Sequence, residues 1–274
     1  TLSGGRTGIV GGAVPAGGVL LSLAEMNRVL GVRRSGERVS LVCEPGISIA
    51  EIDELLEKGA QALEPERFAP GAAEAVDALA REEPGYLYAP DPTEDTAHLG
   101  ATVATNASGA RSYHYGSTRR HIRSLRVCLP TGDVLAVERD EHRVREGRFA
   151  IEGAGGERRD IDVPDYPMPA TKSAAGYYVH PGMDIVDLFI GSEGTLGVIT
   201  EIEAVLAAKP EGLLSALAFF PSDEQAIGFV RRVRGDFADR PPPGTVSPIA
   251  LEFFDSRAFD FLRERKAEEG AAST

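Results

Sequence analysis

Gly100-Ala101-Thr102-Val103-Ala104-Thr105-Asn106-Ala107-Ser108-Gly109 holds no side chain larger than valine, threonine or asparagine. Such a run brings little bulk to a core. It lets backbone N–H groups come close to a flat ring or an anion, and its Thr, Asn and Ser side chains add hydrogen bonds. On its own, a tight turn is the ordinary explanation. Two further segments have the same character: Ser3-Gly4-Gly5-Arg6-Thr7-Gly8, and Gly191-Ser192-Glu193-Gly194-Thr195-Leu196-Gly197. Three in one chain point to a long ligand crossed by several loops.

The segments between them alternate strand and helix signals. Val19 to Leu23 reads as a strand, as does Arg38 to Glu44, with Val39, Leu41 and Cys43 on one face. Ser48 with Glu51 three residues on forms a capping box, and Ile49, Ile52, Leu55 and Leu56 then follow helical spacing to Gly59. Ala72 to Glu82 reads as a helix stopped by Pro84-Gly85. Residues 86–120 lack hydrophobic periodicity and read as a long functional loop region. Ser124 to Leu129 and Val134 to Glu138 read as a hairpin about Pro130 to Asp133, and Leu196 to Leu206 as a strand. Residues 140–182 read as irregular, with a turn at Gly153 to Gly156.

After Pro210 the pattern changes to strand (Leu213 to Phe220), helix (capping box Ser222/Gln225, then to Arg234), a link at Pro241 to Pro243, strand (Ile249 to Phe253) and helix (Ser256 to Lys266). This last unit is too small to complete a sheet. The first glycine-rich loop also lacks the strand that ordinarily precedes such a loop. A longer parent protein is therefore expected.

Composition narrows the function. Lys and Arg total 29 against 42 Asp and Glu, a formal net charge of −13, which disfavours a nucleic-acid backbone or an anionic membrane as main partner. Cys43 and Cys128 are too few for a disulfide framework, a redox pair or a zinc site. The five histidines show no metal-ligand spacing, so no metal is expected. The dinucleotide Rossmann fingerprint, the Walker A loop and the G-x-S-x-G elbow are all missing. No apolar run reaches membrane-spanning length, and a cytoplasmic protein is expected.

Read together, the three segments, with Pro90-Asp91-Pro92-Thr93-Glu94, Ala110-Arg111, Lys172 to Tyr177, and Val198-Ile199-Thr200, resemble the FAD-binding domain of the vanillyl-alcohol oxidase/p-cresol methylhydroxylase superfamily. They are most similar to its FAD-linked D-lactate, glycolate and D-2-hydroxyglutarate dehydrogenases. The resemblance implies an α+β fold: a PCMH-type domain of two α+β subdomains over residues 1–209, its N-terminal part missing, and the start of an α+β substrate (cap) domain over 210–274. It also implies an FAD cofactor. Ser3, Gly4, Gly5, Arg6, Thr7 and Gly8 would wrap the pyrophosphate, and Pro90, Asp91 and Thr93 would line the ring or ribityl chain. Gly100, Thr102, Thr105, Asn106, Ala107 and Gly109 would follow the pyrophosphate and ring. Glu193, Gly194, Gly197 and Ile199 would close the adenosine side, Ile199 serving equally as a strand core residue.

Some relatives attach flavin covalently through a histidine in the first loop. Here that loop is Gly-Gly-Arg-Thr-Gly, so non-covalent FAD is expected. Ser173 stands where relatives often carry Asn. The implied reaction is oxidation of a small 2-hydroxy acid by hydride transfer to flavin N5, with an electron acceptor the sequence does not name. The catalytic residues of such relatives lie mostly beyond residue 274, so none is assigned here. Arg111, Arg119, Arg120, Arg123 and Arg126, with His114 and His121, form a basic island. Most of these are expected to pair with local acids on a solvated face, and Arg111 is the one expected to meet a substrate carboxylate. A non-catalytic FAD-binding accessory subunit and an alkylglycerone-phosphate synthase-like flavoenzyme are the alternatives. A homo-oligomer is compatible with the sequence.

Overall fold

The computed structural model describes residues 1–152, 158–169, 176–234 and 247–272. The sequence expectations at Gly153 to Gly156, Lys172, Ser173 and Pro241 to Pro243 lie outside them. The chain divides into two compact units, Thr1–Glu211 and Gly212–Thr274.

The first unit is α+β, as the resemblance implies. It opens with β1 (Leu2–Ser3), which pairs in parallel with β2 (Leu21–Ser22), shorter than the Val19 to Leu23 strand expected. Strands β3 (Val29–Ser35) and β4 (Arg38–Cys43) follow, then helices α1 (Ile49–Lys58) and α2 (Ala72–Ala80) and the short β5 (Tyr86–Leu87). Next come α3 (Leu99–Thr105), α4 (Ser112–Tyr115), β6 (Ile122–Cys128), β7 (Val134–Glu138), β8 (Arg148–Glu152) and β9 (Arg158–Asp162). The unit ends with α5 (Ile185–Phe189), β10 (Val198–Val205) and β11 (Ala207–Ala208). Five strands form one antiparallel sheet in the order β3-β4-β10-β6-β7.

Helix α2 lies against β3, α3 against β10, and α5 against β6 and β7. Ile52, Leu55, Val76, Leu79, Val103, Ile185 and Val186 join Leu41, Leu125, Val127 and Ile202 in one core. The capping box forms as read: Ser48 Oγ accepts from the Glu51 N–H, and Glu51 Oε2 accepts from the Ser48 N–H at 2.8 Å.

Two stretches differ from their reading. Residues 86–120, read as loop, contain α3, whose small residues pack a helix without showing periodicity, and α4, whose four residues are too few to show a period. Residues 140–182, read as irregular, contain the β8–β9 hairpin, whose charged faces hide the alternation.

The second unit holds α6 (Asp223–Val233), whose Ser222 cap accepts from the Gln225 N–H, and α7 (Ser256–Ala272). The strands read at Leu213 to Phe220 and Ile249 to Phe253 are not formed. A strand needs a hydrogen-bonded neighbour, and neither segment has one among the described residues.

Candidate functional site

Helix α3 organises the site, because each small-residue segment meets it or the chain flanking it. A Cβ built on Gly4 would lie 2.8 Å from Ala101 Cβ, and one on Gly5 would lie 2.8 Å from the Thr96 carbonyl oxygen. The first loop is thus pressed against the start of α3, where no side chain fits. Gly100 is buried against Pro45, and a Cβ there would stand 2.4 Å from Pro45 Cβ. Gly109 fits against the 91–92 backbone so closely that a Cβ would reach 1.5 Å from the Asp91 carbonyl oxygen. The third segment is tied to α3 by its backbone: the Gly191 N–H donates to the Val103 carbonyl at 3.0 Å and the Glu193 N–H to that of Ala104 at 2.8 Å. A Cβ on Gly194 would collide with Leu2 Cδ1 at 2.6 Å, so the third segment also touches the entry to the first.

Backbone strain marks the same place. Among the described residues six non-glycine residues have positive φ, and four of them are Arg6 (59°), Asn106 (48°) and Glu193 (53°), one from each small-residue segment, and Thr93 (73°) from the Pro90 to Glu94 string. Such conformations cost on the order of 1–3 kcal/mol each and gather at functional sites.

Two cavities open beside the Asn106 and Glu193 turns. One, of about 210 Å³, is lined by Thr105, Asn106, Arg119, Gly176, Tyr177, Gly191, Ser192, Glu193 and Thr195. The other, of about 440 Å³, is lined by Thr1, Leu2, Gly12, Cys128, Leu129, Pro130, Glu193, Gly194, Thr195, Gly197 and Val198. Thr105, Asn106, Glu193, Gly194 and Gly197 therefore stand at cavity walls, as do Gly176 and Tyr177 at the end of the Lys172 to Tyr177 string. The first loop from Ser3 to Gly8, Pro90, Asp91, Thr93, Gly100, Thr102, Ala107, Gly109, Arg111 and Ile199 line neither. Thr102 is buried within α3, its hydroxyl donating to the Leu99 carbonyl, and Ile199 is buried in β10 opposite Val127. Ala107 donates its N–H to the Thr102 carbonyl and closes α3. Ser3 and Pro90 are buried, while Thr93 is exposed.

The basic island is largely paired. Arg111 Nε lies 3.3 Å from Asp91 Oδ2, Arg123 meets Glu138 and Asp140, and Arg126 approaches Glu201. Arg119 is different: its side chain is only 12% exposed and pairs with buried Asp187. Burial pushes the Arg119 guanidinium below its ordinary value, against the pull of Asp187. Burial would raise the Asp187 carboxyl, but Arg139 and Arg119 outweigh it and hold it below the usual range. Burial, with Arg6 nearby, holds His98 below the ordinary histidine value against the opposing pull of Glu51. Its Nδ1 is buried without a hydrogen-bond partner, at the cap of α3 beneath the first loop. The wall residues Arg119, Thr195, Leu2, Gly12 and Cys128 were missing from the sequence-derived site. Arg119 carried no signal that set it apart from its surface neighbours.

The first loop fits a phosphate-bearing ligand on an observation of its own. The backbone N–H groups of Gly4, Gly5, Arg6, Thr7 and Gly8 find no acceptor among the described residues. Successive free N–H groups in a glycine-rich turn form a concave donor set for an anion.

Residues 67–138, which include α3 and the 90–111 segment, match the family described as FAD binding domain. Over these residues the chain is similar to an FAD-binding domain. A D-lactate dehydrogenase of Anaerostipes hadrus is 32% identical over 256 residues, covering 93% of this chain and 39% of that protein. The mitochondrial D-lactate dehydrogenase [cytochrome] of Arabidopsis thaliana is 32% identical over 224 residues, 81% of this chain and 28% of that protein. The chain thus spans less than half the length of these relatives. A solved alkyldihydroxyacetonephosphate synthase has a similar fold, with a TM-score of 0.51 at 21% identity over 86% of this chain and 32% of that one. Among the described residues no helix is long and apolar enough to cross a membrane, and no cluster of His, Cys, Asp and Glu is arranged to hold a metal.

Proposed function

We propose that this chain is the FAD-holding part of an oxidoreductase that oxidises a small 2-hydroxy acid, of the D-lactate, glycolate or D-2-hydroxyglutarate type. The carrying observation is the row of free backbone N–H groups from Gly4 to Gly8, pressed against the start of α3, whose other end Asn106 and the Gly191–Glu193 backbone close. In this reading residues 1–209 are the FAD-binding domain and 210–274 begin a substrate domain. FAD, when bound, supplies the acceptor for the substrate's hydride.

The protein's own part is binding and orientation. The N–H groups of Gly4 to Gly8 hold the pyrophosphate, with Arg6 adding charge beside it. Asn106, Thr105, Glu193 and Gly194 line the walls that the rest of the nucleotide follows, and Gly197 closes the larger cavity. Pro90, Asp91 and Thr93, fixed against Gly109, bound the ring side. Gly100, Thr102, Ala107 and Ile199 act from behind, by shaping α3 and β10. Arg111 would meet a substrate carboxylate on releasing its pair with Asp91, which is partly exposed and of little strength in water. No histidine stands in the first loop, so the cofactor is held without a covalent bond.

The full-length protein tests this directly. Its purified form is expected to show a flavin absorption band that moves to the supernatant on acid precipitation. Anaerobic addition of D-lactate, glycolate or D-2-hydroxyglutarate is expected to bleach that band. A protein that takes up no FAD on reconstitution overturns the cofactor reading. A flavin left oxidised by the whole hydroxy-acid series overturns the substrate class.

A further inference from the structure

Arg119 does more than pair with an acid. Its Nη1 donates to both the main-chain carbonyl and Oδ1 of Asp187, and its Nη2 donates to the Ile190 carbonyl. These carbonyls stand in and just after the last turn of α5, where a helix leaves its acceptors unfilled. The guanidinium lies over the Tyr178 ring, 4.1 Å from its centroid. The Arg119 main chain is held as well: its N–H donates to Asn106 Oδ1 at 3.0 Å, and its carbonyl accepts from Arg139 Nη2 at 2.7 Å. Arg139 Nη2 also donates to Asp187 Oδ1 at 2.9 Å. One residue thus joins the Asn106 turn to the end of α5, and Gly191 follows the C-cap of α5, Ile190. A Cβ on Gly191 would lie 3.4 Å from Asn106 Cβ and 3.5 Å from Arg119 Nη2, so the two turns touch at this point.

Asn106 draws a consequence from the bond. With Oδ1 committed to the Arg119 N–H, its amide nitrogen keeps two donors that have no acceptor among the described residues. Both Asn106 and Arg119 line the smaller cavity.

We propose that Arg119 is a positioning residue: it fixes the Asn106 amide and the Gly191–Glu193 turn relative to each other, and so sets the affinity for the flavin nucleotide. This rests on the FAD reading above. A buried ion pair is weak evidence for stability, because desolvation offsets most of the attraction; fixed placement is the use the geometry supports. Lysine cannot substitute, since its single ammonium lacks the planar fork that reaches two carbonyls and a carboxylate together.

The test uses the full-length apoprotein, titrated with FAD and followed by flavin fluorescence, with thermal midpoints measured alongside. Arg119→Lys and Asp187→Asn are compared with Leu55→Ala, which empties a buried position on α1 away from both cavities. R119K and D187N are expected to raise the FAD Kd at least tenfold. L55A is expected to stay within twofold of the parent although its midpoint falls as far. Where R119K does not fold, D187N decides, because it keeps the shape of the carboxylate and removes its charge. Both variants within twofold of the parent, or all three weakening in step with their midpoints, would overturn the positioning role. A parent protein that takes up no FAD overturns the cofactor reading and this proposal together; a parent that binds FAD beside unaffected variants overturns this proposal alone.

Discussion

At the scale of single residues, the glycines separate the demands of the fold from those of the ligand. A Cβ at Gly109 would stand 1.5 Å from a main-chain oxygen that cannot rotate away, while one at Gly8 would meet nothing within 4 Å. Gly109→Ala is therefore expected to lower stability by roughly 3 kcal/mol, the upper end of ordinary overpacking costs, measured by urea denaturation. Gly8→Ala is expected to leave the denaturation curve unchanged and to weaken FAD binding about tenfold, or ~1.4 kcal/mol. Unchanged affinity in G8A would place the cofactor elsewhere. The histidines set a pH dependence. Burial is the main cause holding both His98 and His121 below the ordinary histidine value, with Arg6 and Arg120 adding to it; Glu51 opposes it at His98, and the Tyr115 and Val205 carbonyls oppose it at His121. An unfolded histidine takes up its proton near about 6.5, a folded one here only at lower pH. Protons then favour the unfolded chain, so stability is full above that value and declines as pH falls below it. The thermal midpoint is expected to drop over this range, and His98→Gln with His121→Gln to flatten the drop.

At the scale of elements, the helix caps and strands with bulky apolar faces were legible in the sequence. Ser48 and Glu51 announce α1 by chemistry that needs no tertiary partner, and the structure forms both of their bonds. Ser48→Ala is expected to cost about 1 kcal/mol, the usual worth of an N-cap, read as a shift in the denaturant midpoint at unchanged slope. Helix α3 was not legible as a helix. Alanine, threonine and glycine leave no periodic stripe, and Gly100 is present because Pro45 takes the space of a side chain. The strands expected after Pro210 failed for another reason: alternation states which face would be buried, but pairing depends on a neighbour that local sequence does not contain. Of the residues at the cavity walls, Thr105, Asn106, Glu193, Gly194 and Gly197 sit in segments that stand out in the sequence, because close approach restricts residue type. Arg119 does not stand out, because a buried arginine and a surface arginine look alike until the fold brings Asp187 to it.

At the scale of the molecule, the two units differ in how much they bury. Among the described residues every buried hydrophobic side chain but Ala226 belongs to Thr1–Glu211, while Leu213, Leu214, Leu217, Phe219, Phe253 and Phe261 of the other unit are more than half exposed. Local opening is easiest where few apolar contacts must be broken. Hydrogen exchange is therefore expected to be faster in α6 and α7 than in β4, β6 and β10, and equal protection in all five would contradict this. The sheet order has a consequence for synthesis. Strand β10 is made after β3, β4, β6 and β7, yet it lies in the middle of the sheet, between β4 and β6. As the chain leaves the ribosome, the β3–β4 and β6–β7 hairpins must wait, with the inner edges of β4 and β6 open, until residues 198–205 emerge to join them. The Gly191–Gly197 turn is made just before that strand, so the nascent chain gains its central strand and the walls of both cavities in one late step; on the proposed FAD reading, a flavin arriving earlier finds no pocket to enter.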